Sequence, residues 1–263
     1  MATVRRWHPA VLALFVALML ATTAVVVSSS RGAFFDTTDN AGNSFEAAAS
    51  FGGGITQVQK ATAGSAGKTT SVTATYGSAP TQDNLLILVH HWRETGTVTL
   101  PSGWSQAVAR VDGPTTFTIA YKIAGAAEGT AVTVSTAKSD HQTITIFEYS
   151  GIDTASPLDQ TVSNTSTNAT SCSTGTTGTT SVADELLVAG IGLRGAPGVW
   201  ANTWTNSFTQ QSTVVSTGGG DNELSASSTA DRIVSATGTF ATTESWTTSY
   251  DCIAAIATFK AAP

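Results

Sequence analysis

This chain carries little charge. Asp, Glu, Lys and Arg make up 11% of its 263 residues, where roughly a quarter is usual for a soluble domain. The balance is acidic, with 12 basic and 18 acidic residues and a net charge of −6. No Lys/Arg cluster occurs beyond Arg5-Arg6. Phosphate recognition needs concentrated positive charge, so a nucleic-acid partner is excluded. The cysteines number only 2, and their spacing matches no zinc motif. There is no Gly-x-Ser-x-Gly elbow, and no glycine run opens a helix after a strand. This removes the nucleophile elbow and the phosphate cradle. Beyond an N-terminal apolar run, helical character is confined to a few residues around Glu46 to Ala49. Low charge would suit a disordered chain, but 41% of the residues are hydrophobic and they fall in ordered patterns. The polar surface is left to Thr, Ser, Asn and Gly.

What is present begins with a targeting segment. Arg5 and Arg6 precede an apolar run from Ala10 to Val27, broken only by Thr22 and Thr23. The run is longer than a signal h-region of about 7 to 15 residues and just short of a comfortable span of about 20. Residues 1–33 therefore read as a signal peptide or, if retained, as a membrane anchor. Either places the remaining chain outside the cytoplasm, because the arginines stay inside. Membrane contact is expected only through this segment. Residues 34–54 form an N-terminal segment ending in the flexible joint Gly52-Gly53-Gly54. Residues 55–263 form the folded domain. Outside the cytoplasm, Cys172 and Cys252 are expected to form a disulfide. It would close a loop of roughly 80 residues, worth on the order of 4 kcal/mol in the chain-entropy model. Two unpaired, small apolar side chains are the alternative.

Strand signals fill the domain. "FTIAYKIAG" puts Phe117, Ile119, Tyr121 and Ile123 on one face, and Thr118, Ala120 and Lys122 on the other. "TAVTVST" alternates Val132 and Val134 with Thr, and "TITIFEYSG" carries Ile144, Ile146, Phe147 and Tyr149. Runs of this kind between Gly, Pro, Asp and Asn turns mark antiparallel strands with a buried face. "DNLLILVHHWR" (83–93) also lines up without gaps against "DELLVAGIGLR" (184–194), and a Trp-containing turn follows each. The expected fold is an all-β antiparallel sandwich of two similar halves. One sandwich is preferred to two small ones in tandem, and the Ser/Thr tract at 163–181 is taken as a surface loop. "LPSGWSQ", "IAYKIAGAAEG", "EYSGIDTASPLD" and the two Asp-x-Leu-Leu strands resemble a jelly-roll-like domain of bacterial secreted, surface and phage-tail-associated proteins. The resemblance covers residues 57–261. It implies a fold and an extracellular setting, and carries over no catalytic residue.

Candidate chemistry is sparse. His90 and His91 are adjacent on a predicted strand, so they face opposite ways and cannot share a metal there. Asp140-His141 could add a partner for zinc or a general base, against a reading of satisfied core histidines. Glu148 is the best carboxylate within a strand, and is expected to face solvent opposite Phe147. Asp221 and Glu223 could form a calcium loop or an ordinary turn. No metal site, catalytic residue or cofactor is assigned. Trp92, Trp104, Trp200, Trp204 and Trp246 fall near loops and strand ends. Exposed indoles can stack on sugars, and "VWANTW" makes Trp200, Asn202 and Trp204 the candidate glycan-binding set. The competing reading has Trp104 and Trp204 capping the core beneath equivalent turns.

"GAFFDTTDNAGNSFEAA" (32–48) directly follows the targeting run. Ala33, Phe34, Phe35 and Asp36, then Asn43, Ser44, Phe45 and Ala47, resemble the segment after SipW-type signal peptides in camelysin-like proteins and biofilm-matrix fibre subunits. The resemblance implies cleavage after Ala33. It also implies self-association in which Phe34, Phe35 and Phe45 add a strand to a neighbouring copy. The chain is thus expected to be an exported, non-catalytic cell-surface or matrix protein. The alternative is a carbohydrate-binding module whose partner is a cell-surface glycan.

Overall fold

The computed structural model describes residues 54–263 apart from 197 and 199. The expectations placed on residues 1–53, including Phe34, Phe35 and Phe45, lie outside the described residues. Residues 54–263 belong to one compact unit. Its strands are β1 (Thr56–Gly64), β2 (Thr69–Thr75), β3 (Leu85–Trp92), β4 (Val98–Thr99), β5 (Ser105–Val111), β6 (Thr116–Ile123), β7 (Ala131–Asp140), β8 (Gln142–Ser150), β9 (Leu158–Ser173), β10 (Asp184–Leu193), β11 (Thr209–Val215), β12 (Ala226–Ser235) and β13 (Thr243–Lys260). A single 3-10 turn, Asp221–Glu223, is the only helical element among the described residues.

All strand pairings are antiparallel. They build two five-stranded sheets, β1-β8-β3-β6-β5 and β9-β13-β10-β12-β11, and a small sheet, β2-β7-β4. The two five-stranded sheets stack face to face as a β-sandwich. Between them lie Leu85, Ile87, Val89, Phe117, Ile119, Phe147, Leu186, Val188, Ile253 and Phe259. These are alternate residues of their strands, as a period of two requires.

The reverse faces are buried as well. Leu86, Leu88, Ile144 and Ile146 pack under Val72, Ala74, Val132 and Val134 of the small sheet. Leu187, Ala189, Ile191, Ala254 and Ile256 pack under Trp200, Trp204, Phe208 and Trp246. Double coverage explains why Leu85 to Val89 of β3 read as an unbroken apolar run rather than an alternation. It also corrects the reading of Glu148, which was expected to face solvent. Glu148 points away from Phe147, yet it is 0% exposed because that face is roofed too.

The strand orders of the two large sheets correspond position by position. β3 and β10, which carry the repeated Asp-x-Leu-Leu sequence, occupy the two centres. Arg93 N donates to His141 O and Arg194 N donates to Asp251 O, both at 3.2 Å. The β4–β7 pairing of Val98 with Thr136 has its counterpart in a Trp200–Trp246 bridge.

Cys172 of β9 and Cys252 of β13 form the expected disulfide, with Cα atoms 6.4 Å apart and a sequence separation of 80. The Ser/Thr tract is only partly the loop that its composition suggests. Residues 163–173 are the greater part of β9, paired along β13. Thr and Ser serve well on an edge strand whose outer side meets water.

Candidate functional site

The three histidines of the domain are buried structural groups at separate points. His90 Nε2 and Gln142 Oε1 are 2.9 Å apart. On the opposite face of β3, His91 Nδ1 lies 2.8 Å from Ser225 Oγ, and its Nε2 lies 2.6 Å from Thr115 Oγ1. Burial pushes His90 down to about 4. Burial, then the charges of His90 and Arg93, push His91 down to about 3. Both rings are therefore neutral at physiological pH. Asp140 Oδ1 accepts from the His141 backbone N–H at 2.7 Å. Among the described residues no group of three or more His, Cys, Asp or Glu side chains is arranged to hold a metal.

The carboxylates are also dispersed. Glu148 accepts from Gln59 Nε2 at 2.5 Å, Asn84 Nδ2 at 2.5 Å and Thr81 N at 2.8 Å. Burial, with a smaller contribution from neighbouring Asp159, raises Glu185 to about 7. Asp221 and Glu223 sit in the 3-10 turn. There Arg93 donates to the backbone carbonyls of Asn222, at 2.7 Å, and Glu223. Glu223 Oε2 accepts from Gly220 N at 3.1 Å, so the segment is a turn closed on itself.

The tryptophan set does not offer the open faces that sugar stacking needs. Trp200 is 8% exposed and Trp204 is 7% exposed. Trp200 packs edge-on against Trp246, with ring centroids 5.8 Å apart. Both roof the outer face of the second large sheet, where Ala189, Ala254 and Ala230 leave room for large rings. Asn202, between them, is exposed and accepts from Gln210 Nε2 at 3.0 Å. Trp104, half-buried beneath the equivalent turn of the first sheet, packs against the cluster under the small sheet. The exposed-indole expectation for Trp200 and Trp204 is therefore corrected, and the capping reading describes the geometry.

A polar cleft lies beside this layer. One depression of about 250 Å³ is lined by Asn168, Arg194, Asn222, Ser249, Tyr250 and Asp251. A second, of about 360 Å³, includes Trp200, Thr213, Asp221, Thr248 and Tyr250 in its wall. Tyr250 is common to both. Its hydroxyl donates to Asn222 Oδ1 at 3.2 Å, and Asp251 Oδ1 accepts from Asn168 N at 2.9 Å. Sequence reasoning missed this cleft because its residues come from four separate segments. The only signal was the repeated arginine, Arg93 and Arg194, which ends both copies of the internal echo. Comparison with family models, with curated proteins and with solved structures finds no match for this chain.

Proposed function

We propose that this chain is an exported, non-catalytic protein of the cell surface or extracellular matrix, built as a jelly-roll-like sandwich of two similar, duplicated halves. The Cys172–Cys252 disulfide carries the export reading, because such bonds persist in oxidising compartments. Arg5-Arg6, the apolar run and the SipW-like segment around Ala33 supply the route. The duplication rests on the matching strand orders, the repeated Asp-x-Leu-Leu strands at both sheet centres, and the paired Arg93 and Arg194 backbone contacts. A non-catalytic role agrees with His90 and His91 rings engaged in structural hydrogen bonds. A structural role in a matrix agrees with a surface built from Thr, Ser and Asn, which limits charge repulsion between copies.

Fractionation of producing cells tests the location. Mature protein at the surface or in the medium, beginning at Phe34 and with both cysteines resistant to alkylation, is the expected result. A cytoplasmic protein with two free thiols would overturn the reading. Self-association through Phe34, Phe35 and Phe45 is tested separately by sedimentation of the mature form at rising concentration. A monomer throughout would sink that part alone.

A further inference from the structure

The duplicated arginines have been put to different uses. Arg93 is buried, and both of its terminal nitrogens donate to backbone carbonyls of the 221–223 turn. Arg194, its counterpart, is half-buried in the cleft wall. Its Nε, like that of Arg93, is shielded from solvent and has no hydrogen-bond partner. Among the described residues no carboxylate pairs with its guanidinium, since the ion pairs are Lys122–Glu128 and Lys138–Glu94. A shielded N–H without a partner is costly unless something supplies one.

Around Arg194 the cleft is lined by amide and hydroxyl groups: Asn168, Asn222, Ser249 and the Tyr250 phenol. Asp251 contributes one carboxylate, with Oδ1 already engaged by the Asn168 amide. Trp200 lines the adjoining depression, and its Nε1 is likewise buried and unpartnered. Donors and acceptors in this mixture suit a ligand that has many hydroxyls and a carboxylate at the unit facing Arg194. The guanidinium fork matches a carboxylate in bidentate fashion. Asp251 and the two asparagines match ring hydroxyls. The two depressions, which share Tyr250 as a wall, give room for adjacent units of a chain.

We propose that the Arg194–Tyr250–Asp251 cleft binds an acidic saccharide, with a uronic-acid carboxylate on Arg194. This site shares only Trp200, as a wall of the adjoining depression, with the Trp200–Asn202–Trp204 set and needs no exposed indole. It goes beyond the surface-protein reading and does not depend on it.

Isothermal titration of the purified protein tests the site. The probes are an oligogalacturonate, a neutral oligoglucoside of equal length and a polyglutamate peptide. The oligogalacturonate should bind at least tenfold more tightly than either comparator. Arg194→Gln should weaken it tenfold or more, while Arg110→Gln, at an exposed position on β5, should leave it unchanged. Ser249→Tyr fills the cleft from an exposed position. It should abolish binding, and it serves as the deciding variant if melting shows Arg194→Gln to be unfolded. The proposal is overturned by an absence of oligogalacturonate binding, by equal binding of the neutral sugar or the peptide, or by unchanged affinity in the deciding variant.

Discussion

Glu244 sits on β13 beside the tryptophan layer, 0% exposed, and neither carboxylate oxygen has a hydrogen-bond partner. Burial raises it to about 7. An acid raised in this way holds its proton in the folded state up to a higher pH than in the unfolded chain. It imposes no penalty below the usual carboxyl value of about 4.5. The penalty grows as pH rises from there and is complete above 7, where it is on the order of 3 kcal/mol. Glu244→Gln should therefore match the parent in thermal melts at pH 4.5 and exceed it at pH 8.5. An equal gain at both values would remove the titration argument. Tyr149 offers the opposite case. Its hydroxyl donates to Asp231 Oδ2 at 2.6 Å and accepts from Gln57 Nε2 at 3.0 Å, joining elements of both large sheets. Tyr149→Phe strips a partner from each, and urea unfolding should register a loss of about 1–3 kcal/mol.

At the scale of elements, strands were legible and their surroundings were not. Phe117, Ile119 and Val134 declare a strand by their period alone. A single strand, however, states only which residues share a face, not whether the other face is covered. That is why Glu148 was read as exposed. It is also why the tract at 163–173, with almost no apolar residue, was taken for a loop. The cleft residues were illegible for a related reason, since Asn168, Arg194, Asn222 and Tyr250 meet only through the pairing of β9 with β13 and the placing of the 221–223 turn. The disulfide was legible because an apolar run behind two arginines and a cysteine pair suffice to suggest it. It staples β9 to β13. Replacing Cys172 and Cys252 together by serine should lower stability by about 4 kcal/mol in the chain-entropy model. Calorimetry of the parent and the double variant measures this, and a loss below about 1 kcal/mol would mean that the crosslink constrains little.

At the scale of the whole molecule, the packing of one large sheet on the other rests on an inequality between the two copies of a repeated strand. The echo places Val89 and His91 of β3 at the positions held by Gly190 and Gly192 in β10. A Cβ at Gly190 would lie 2.8 Å from both Val89 and Phe117, and one at Gly192 would intrude on the His91 ring. Large side chains on one sheet thus occupy the space that glycine leaves on the other. Gly192→Val should destabilise by about 3 kcal/mol or more, because neither the buried ring nor the paired backbone can retreat. Thermal melting would test this, and a neutral outcome would show that the interface can yield.

The same inequality decides which surfaces can meet. Two faces like that of β3 would bring His91 and Val89 against their own copies. Two faces like that of β10 would leave voids opposite each glycine. The mixed pair fills space in a way that neither like pair does, so the difference between the two strands acts as an address, directing each half to its sibling and away from its twin. Segments 54–157 and 158–263, produced together as separate chains, should form a one-to-one complex on a sizing column, and neither should dimerise alone.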